Sequence, residues 1–331
     1  MYGLEHAEHH FSSFDKVKSL PVVLGEAGYR TARVGKYHVA PEDVYKFDQV
    51  LGGNSRNPVD MAERSRALIE AQSSKPFFLY FAPNDPHRGA PAKWAPLKPN
   101  SFGNEPPGRE PEGVVPVHYK PEDVLVPPFL PDTPTCRAEL AQYYESILRI
   151  DSGVGRLMEI LKRAGKVDDT LIIYISDNGV PFPGAKTTVY EAGLKLPCIV
   201  RNPRAKKHGV VNKAFVSWVD ITPTILDFAG VKPALTKKLH GRSFLPILDE
   251  EKPDGWDEVY ASHTFHEVTM YYPMRVVRSG NFKLIWNIAY PLPFPFASDL
   301  YGSSTWQDTL KHGEDYIYGK RSVSAYEHRP Q

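Results

Sequence analysis

Short apolar, β-branched runs alternate along this chain with segments of helical period, the pattern of a mostly parallel sheet covered by helices. Val17 to Ala27 predicts a short helix ended by Gly28, and Arg30 to Val34 a strand leading into Gly35-Lys36-Tyr37-His38. Met61 to Gln72 predicts a second helix, followed by the buried strand Phe77 to Ala82 and the loop Pro83-Asn84-Asp85-Pro86-His87-Arg88. Ala138 to Ala164 carries Leu140, Tyr144, Ile147, Val154, Met158 and Leu161 close to one face and is ended by Gly165, which predicts a long helix. Asp169 to Ile175 predicts a central strand that empties into Ser176-Asp177-Asn178-Gly179. Leu196 to Val200 and Ala214 to Val219 are further expected strands. Thr222 to Phe228 begins a helix with a Thr cap and Pro223 in its first turn. From about Trp256 the pattern becomes hairpin-like, with Met274 to Arg278 and Phe282 to Trp286 around Ser279-Gly280-Asn281.

The expected fold is therefore α/β: a mostly parallel mixed sheet sandwiched by helices over residues 1–255, and a smaller antiparallel unit over 256–331. Residues 91–135 hold twelve prolines and little periodicity, so they are expected to form a long ordered excursion across the surface.

Composition narrows the function classes. A chain of 331 residues, 41% hydrophobic and 24% charged, can bury a large core and is not disordered as a whole. Forty Lys and Arg against 39 Asp and Glu leave a net charge of +1, so no global field draws the protein to nucleic acid or an anionic membrane. Any anion binding must be local. No apolar run approaches the ~20 residues of a membrane span. Cys136 and Cys198 are too few for a disulfide scaffold or an all-Cys zinc site. The N-terminal MYGLEHAEHHFSSF has neither the basic start nor the apolar stretch of a signal peptide.

In open α/β sheets ligands gather at the carboxyl ends of strands, and three stretches place polar residues there. Asp177 and Asn178 offer a carboxylate and an amide oxygen, donors that Ca²⁺ or Mg²⁺ prefers; an ordinary Asx-Gly turn is the plainer reading. Lys36 and His38 are two apart, so extended backbone points both to one face, where an ammonium can neutralise an anion while the imidazole moves a proton. A solvated strand end explains them equally simply. His87 follows the most apolar strand in a stiff Asp-Pro-His loop, and Lys186 follows Asp177 by nine residues in PFPGAKT. Singly, these are a loop histidine and a solubilising lysine. Together, two lysines, two histidines and an oxygen-ligand pair on loops after strands make a pocket suited to a tetrahedral anion.

These stretches resemble the sulfatases of the alkaline phosphatase superfamily, most closely the sulfamidases (N-sulfoglucosamine sulfohydrolases). The likeness is carried by MYGLEHAEHHFSSFDKVKSLP, RTARVGKYHVAPEDVYKFD, KPFFLYFAPNDPHR, DDTLIIYISDNGVPFPGAKT, DITPTILDFAG, LHGRSFLPIL and HEVTMYYPMRVV, in order along nearly the whole chain. The resemblance implies that Asp177 and Asn178 supply half of a calcium site. It implies that Lys36 holds the nucleophile and a sulfate oxygen, that His38 is the base that collapses a sulfated intermediate, and that His87 and Lys186 bind the sulfate and assist the leaving group. Arg88, His266, Glu267 and Arg275 are the expected substrate contacts, with a buried Glu-Arg pair as the alternative for the last two. The implied partner is a sulfated carbohydrate of the glycosaminoglycan kind; a homodimer and a periplasmic, secreted or lysosomal location are compatible with the family. Some sulfamidases carry Arg where this chain has Lys186, and Lys lacks the guanidinium fork.

The family's formylglycine arises from Cys or Ser in a C/S-x-P-S-R motif, and a pair of Asp ligands lies near it. Neither is found in this sequence: Cys136 lies in PTCRAEL and Cys198 in LPCIVRN. The chain is therefore expected to begin just downstream of the nucleophile segment, to end short of a complete small domain, to bind calcium weakly or not at all, and to be inactive by itself. A phosphodiesterase or phosphonate hydrolase of the same superfamily is the nearest rival reading, and a non-catalytic carbohydrate-binding relative is another.

Overall fold

A computed structural model describes residues 12–89, 100–232, 239–267 and 270–330. Residues 1–11, MYGLEHAEHHF, and residues 90–99, which reach into the proline-rich segment, lie outside the described residues.

Strand β1 (Arg30–Gly35) is flanked in parallel by β2 (Gln49–Leu51) and β3 (Phe77–Ala82), with Arg30 opposite Phe77 and Gly35 opposite Ala82. Alternation along β3 builds the sandwich. Phe77, Leu79 and Phe81 pack on helices α2 (Pro58–Glu70) and α3 (Pro134–Arg163) through Ala62, Ile69, Ile160 and Leu161. Phe78 turns to the other side, against Val23 and Leu24 of α1 (Leu20–Glu26) and Leu226 of α5 (Ile221–Ala229). The three-residue β2 was not anticipated, being too short to show a period.

Helix α3 starts a turn earlier than its apolar pattern predicts. Thr133 caps it by accepting from the Cys136 amide at 3.1 Å, and Pro134 fits a first turn that needs no N–H. Its buried face is unexpectedly polar: Glu139, Gln142, Ser146 and Arg149 recur at helical spacing and are all buried.

β4 (Ile172–Ile175) forms as expected, but its partner β5 (Cys198–Arg201) runs antiparallel to it, with Ile172 opposite Arg201. The expected central parallel strand is thus corrected. The chain between the two strands holds only the one-turn helix α4 (Glu191–Leu194), too little for the long helical crossover that a parallel neighbour needs. Ala214 to Val219 is not a strand. Phe215 donates one bond to the Trp256 carbonyl, and Ser217 and Asp220 then cap each other reciprocally, closing the chain into a short turn.

The C-terminal part is an antiparallel meander, β6 (Glu258–His263), β7 (Met274–Ser279) and β8 (Phe282–Asn287). Met274 and Val276 bury one face against Tyr272, Phe294 and Val189. Helices α6 (Ser298–Tyr301), α7 (Ser304–His312) and α8 (Val323–Glu327) follow, with the two-residue strands β9 (Ile317–Tyr318) and β10 (Arg321–Ser322) between them. Trp306 of α7 and Tyr326 of α8 share a core with Leu140 of α3, Phe182, and Phe102, Val124 and Leu130 of the proline-rich segment. That segment is therefore not confined to the surface: Phe102, Val124 and Leu130 are core, while Val115, Val117 and Leu125 stay exposed.

Candidate active site

The end of β1 sets the first functional side chain. Gly35 has a φ of +88°, and a Cβ there would stand 2.2 Å from the Ala82 carbonyl oxygen, so only glycine fits. The tight approach lets the Lys36 amide donate to Ala82 at 2.6 Å. Lys36 is thereby fixed beside the end of β3, from which the His87 loop departs.

Two charged clamps hold that loop. Asp85 is fully buried and accepts from Arg149 of α3 (2.7 and 3.1 Å) and from Arg56 (2.8 Å), while Arg56 also donates to the His87 carbonyl at 3.0 Å. Arg88 is buried as well, paired with Glu139 of α3 and donating to the Pro181 carbonyl at 3.2 and 2.7 Å. Its guanidinium also lies over the Phe102 and Phe182 rings. Arg88 is thus a core anchor: each of its three guanidinium nitrogens donates to a protein acceptor, and its side chain is almost fully buried.

Between the clamps, His87 is exposed, and its Nδ1 lies 2.5 Å from the Arg88 carbonyl. That contact assigns the neutral proton to Nδ1 and leaves Nε2 to exchange protons. Desolvation holds the imidazole below its usual pKa, reinforced by the charges of Lys186 and Lys36 and opposed by the Arg88 carbonyl and Asp299. Lys36, Lys186 and Asp299 are thus near enough to His87 for their charges to act on its imidazole. His38 is exposed on the loop just past Lys36.

Lys186 is buried, and its Nζ donates to Asp299 Oδ2 at 2.6 Å. The loop carrying it is tightly folded: Lys186 N bonds the Val180 carbonyl, and Phe182, Ala185 and Thr188 are buried. Thr187 next door has a φ of +63°, rare for a β-branched residue and strained by about 1–3 kcal/mol, so its surroundings over-determine this backbone. A Cβ on Gly179 would meet the Ala192 carbonyl at 2.3 Å, which seats the Asp177-Asn178 turn on α4.

Asp177 is exposed beyond β4, and its charge adds to burial in raising the pKa of Tyr80 on β3. Asn178 is half-buried, and its carbonyl accepts from Ser176 Oγ at 2.8 Å. This donor pair fits calcium in kind but not in number, since that ion takes 6–8 oxygens. Among the described residues, no group of three or more His, Cys, Asp or Glu is placed to hold a metal ion. The cysteines do not fit a formylglycine site. Cys136 is buried in α3 with its thiol pushed up to about 12 by desolvation, and Cys198 lies on β5.

Glu267 and Arg275 do not pair with each other. Glu267 Oε1 accepts from the Ser298 amide at 3.1 Å and its hydroxyl at 2.7 Å, whereas exposed Arg275 bonds the Met274 and His263 carbonyls. His266 is half-buried beside Glu267. Sequence reasoning missed Asp299, Asp85, Glu139 and Arg149. Asp85 alone carried a signal, as the acid flanking His87 within Asp-Pro-His-Arg.

The His87 shift has a consequence for stability. A histidine whose folded pKa lies below its unfolded value of ~6.5 stabilises the fold above that value and withdraws the contribution as pH falls through the folded pKa. Half-buried His263 is shifted in the same direction, mainly by desolvation. Urea unfolding is expected to give a smaller free energy at pH 5.5 than at pH 7.5, with a flatter pH dependence in His87→Gln; equal slopes in the two proteins would refute the assignment.

The sulfatase family profile matches residues 1–231, and that for the C-terminal region of N-sulphoglucosamine sulphohydrolase matches residues 185–291. The chain is 43% identical over 328 residues to the N-sulphoglucosamine sulphohydrolase of Homo sapiens, covering 94% of this chain and 65% of that protein. It is 27% identical to an ulvan-active sulfatase of Formosa agariphila over 84% of this chain and 52% of the relative. The chain thus spans between half and two thirds of these relatives. A solved structure described as a complex with its substrate D-glucosamine-2-N,6-O-disulfate superposes with a TM-score of 0.60 at 20% identity, covering 91% of this chain and 80% of that one. The phosphonate monoester hydrolase of Agrobacterium radiobacter superposes with a TM-score of 0.61 at 16% identity, over 87% and 76% of the two chains. Such low identities establish a shared fold.

Proposed function

Because the chain belongs to the sulfatase family, we propose that the protein hydrolyses an S–O or S–N bond of a sulfated or N-sulfated amino sugar. The observation that carries this reading is the grouping of Lys36, His87 and Lys186, the three residues whose charges meet at His87. Two ammonium groups and a histidine with a free Nε2 suit a tetrahedral anion whose leaving group needs a proton. Lys36 and Lys186 bind sulfate oxygens, His87 delivers a proton to the departing oxygen or nitrogen, and His38 acts as a base from the adjacent loop.

Sulfatases are generally calcium-dependent and use a formylglycine. Asp177 and Asn178 would hold one side of a calcium ion, which when bound supplies positive charge to the sulfate oxygens. His266, Glu267 and Arg275, in the smaller unit over residues 256–331, are the proposed sugar contacts. The 43% identity to a sulfamidase favours an N-sulfated sugar.

The test is turnover by the full-length protein of glucosamine N-sulfate, an aryl sulfate and a phosphonate monoester, side by side. Preferential release of sulfate from the sulfamate is expected. Hydrolysis of aryl sulfate alone would overturn the substrate and keep the family chemistry, whereas preference for the phosphonate would overturn the sulfate reading.

A further inference from the structure

Lys186 reaches its position through a residue far along the chain. Asp299 lies 113 residues away and meets the Lys186 ammonium at 2.6 Å, with the two side chains 17% and 5% exposed. The segment bearing Asp299 is pinned on both sides. Glu267 accepts from the Ser298 amide and hydroxyl, and Glu139 accepts from the amides of Ser304 and Thr305 at 3.0 Å each. Glu139 is also the partner of Arg88, next to His87. One face of α3, the His87 loop and the segment from Ser298 to Thr305 are thus a single connected set of charges.

We propose that Asp299 is a positioning residue: from the first turn of α6 it fixes the Lys186 ammonium and balances the positive charge that Lys36 and Lys186 turn toward His87. This rests on the sulfate-hydrolase reading of the site. The 2.6 Å bond to Asp299 holds the Lys186 ammonium aimed before an anion arrives. The groups acting on His87 are Lys36 at the end of β1, Lys186 on its loop, Asp299 on α6 and the Arg88 carbonyl. Arg56 bonds the His87 main-chain carbonyl. Of the ionised side chains acting on the imidazole, Asp299 is the one of negative sign, so its charge opposes that of the two lysines.

The experiment uses the full-length protein and reads the His87 imidazole titration by NMR, its signal assigned with His87→Gln, alongside steady-state hydrolysis of glucosamine N-sulfate. In Asp299→Asn the titration is expected to move to lower pH. In Lys186→Gln it is expected to move to higher pH, and Asp299→Glu is expected to restore the native value. Asp299→Asn is also expected to lower kcat about tenfold, less than the 10²–10⁴ that a general acid itself contributes, without raising KM. A merely structural ion pair would leave the titration where it is in all three variants, and that result overturns the proposal. If Asp299→Asn does not fold, the opposed outcomes in Lys186→Gln and Asp299→Glu still decide. Absence of turnover in the unmodified enzyme would overturn the sulfate-hydrolase reading, while the titration still judges the role of Asp299.

Discussion

Replacing Asp85 with alanine is expected to lower the unfolding free energy by about 3–5 kcal/mol, the cost of leaving buried charge uncompensated. The carboxylate is fully buried and accepts from Arg149 and Arg56, so its removal strands two guanidinium groups at once. Arg149 keeps the Asn104 amide oxygen at 2.6 Å and the Phe102 carbonyl at 2.5 Å, neutral acceptors that do not replace a carboxylate. The effect reaches the candidate site, because Arg56 also holds the His87 carbonyl. Denaturant unfolding measures the loss, with Asp60→Ala as the control. That residue forms a surface i,i+4 pair with Arg64, for which only about 0.5 kcal/mol is expected. A loss for Asp85→Ala as small as the control's would show that solvent reaches the two arginines.

The other large effect is on catalysis. In the full-length enzyme, Lys36→Ala is expected to reduce kcat/KM on glucosamine N-sulfate by 10²–10³-fold, roughly 3–4 kcal/mol of transition-state stabilisation, by analogy with other preorganised charge contacts. Lys36 is the cleaner residue to remove because its backbone is locked by the Ala82 bond and the fit of Gly35. Lys186→Ala is expected to lose a comparable factor and some stability too, since it unpairs Asp299. Melting curves separate the two contributions. Unchanged turnover in both variants would remove the lysines from the reaction.

Much of this architecture is visible in the order of residues. Phe77 to Ala82 is apolar enough to be a strand in any context, and Ala138 to Ala164 has the period and the terminal glycine of a long helix. Because ligands collect where such strands end, Lys36, His87, Asp177 and Asn178 stood out as polar residues immediately after apolar runs. Lys186 followed from its closeness to Asp177. The family motifs then supplied roles that spacing could not.

Other features depended on which segments meet in space. The stripe of Glu139, Gln142, Ser146 and Arg149 has the composition of a solvated helix face, yet it is buried because Arg88, Asp85 and the α7 amides arrive to satisfy it. Arg88 sits in the same loop as His87 and carries a charge suited to sulfate, but Glu139, 51 residues on, claims it for the core. The direction of β5 was decided by a connection too short in helix for a crossover. Local sequence sets backbone preference and the period of apolar side chains, which are short-range properties, and so it determined the strands, the helices and the loops that carry chemistry. A charged group is buried only where a partner from elsewhere offsets its desolvation, so the fate of Arg88 and the pairing of Lys186 with Asp299 were decided by the tertiary structure alone.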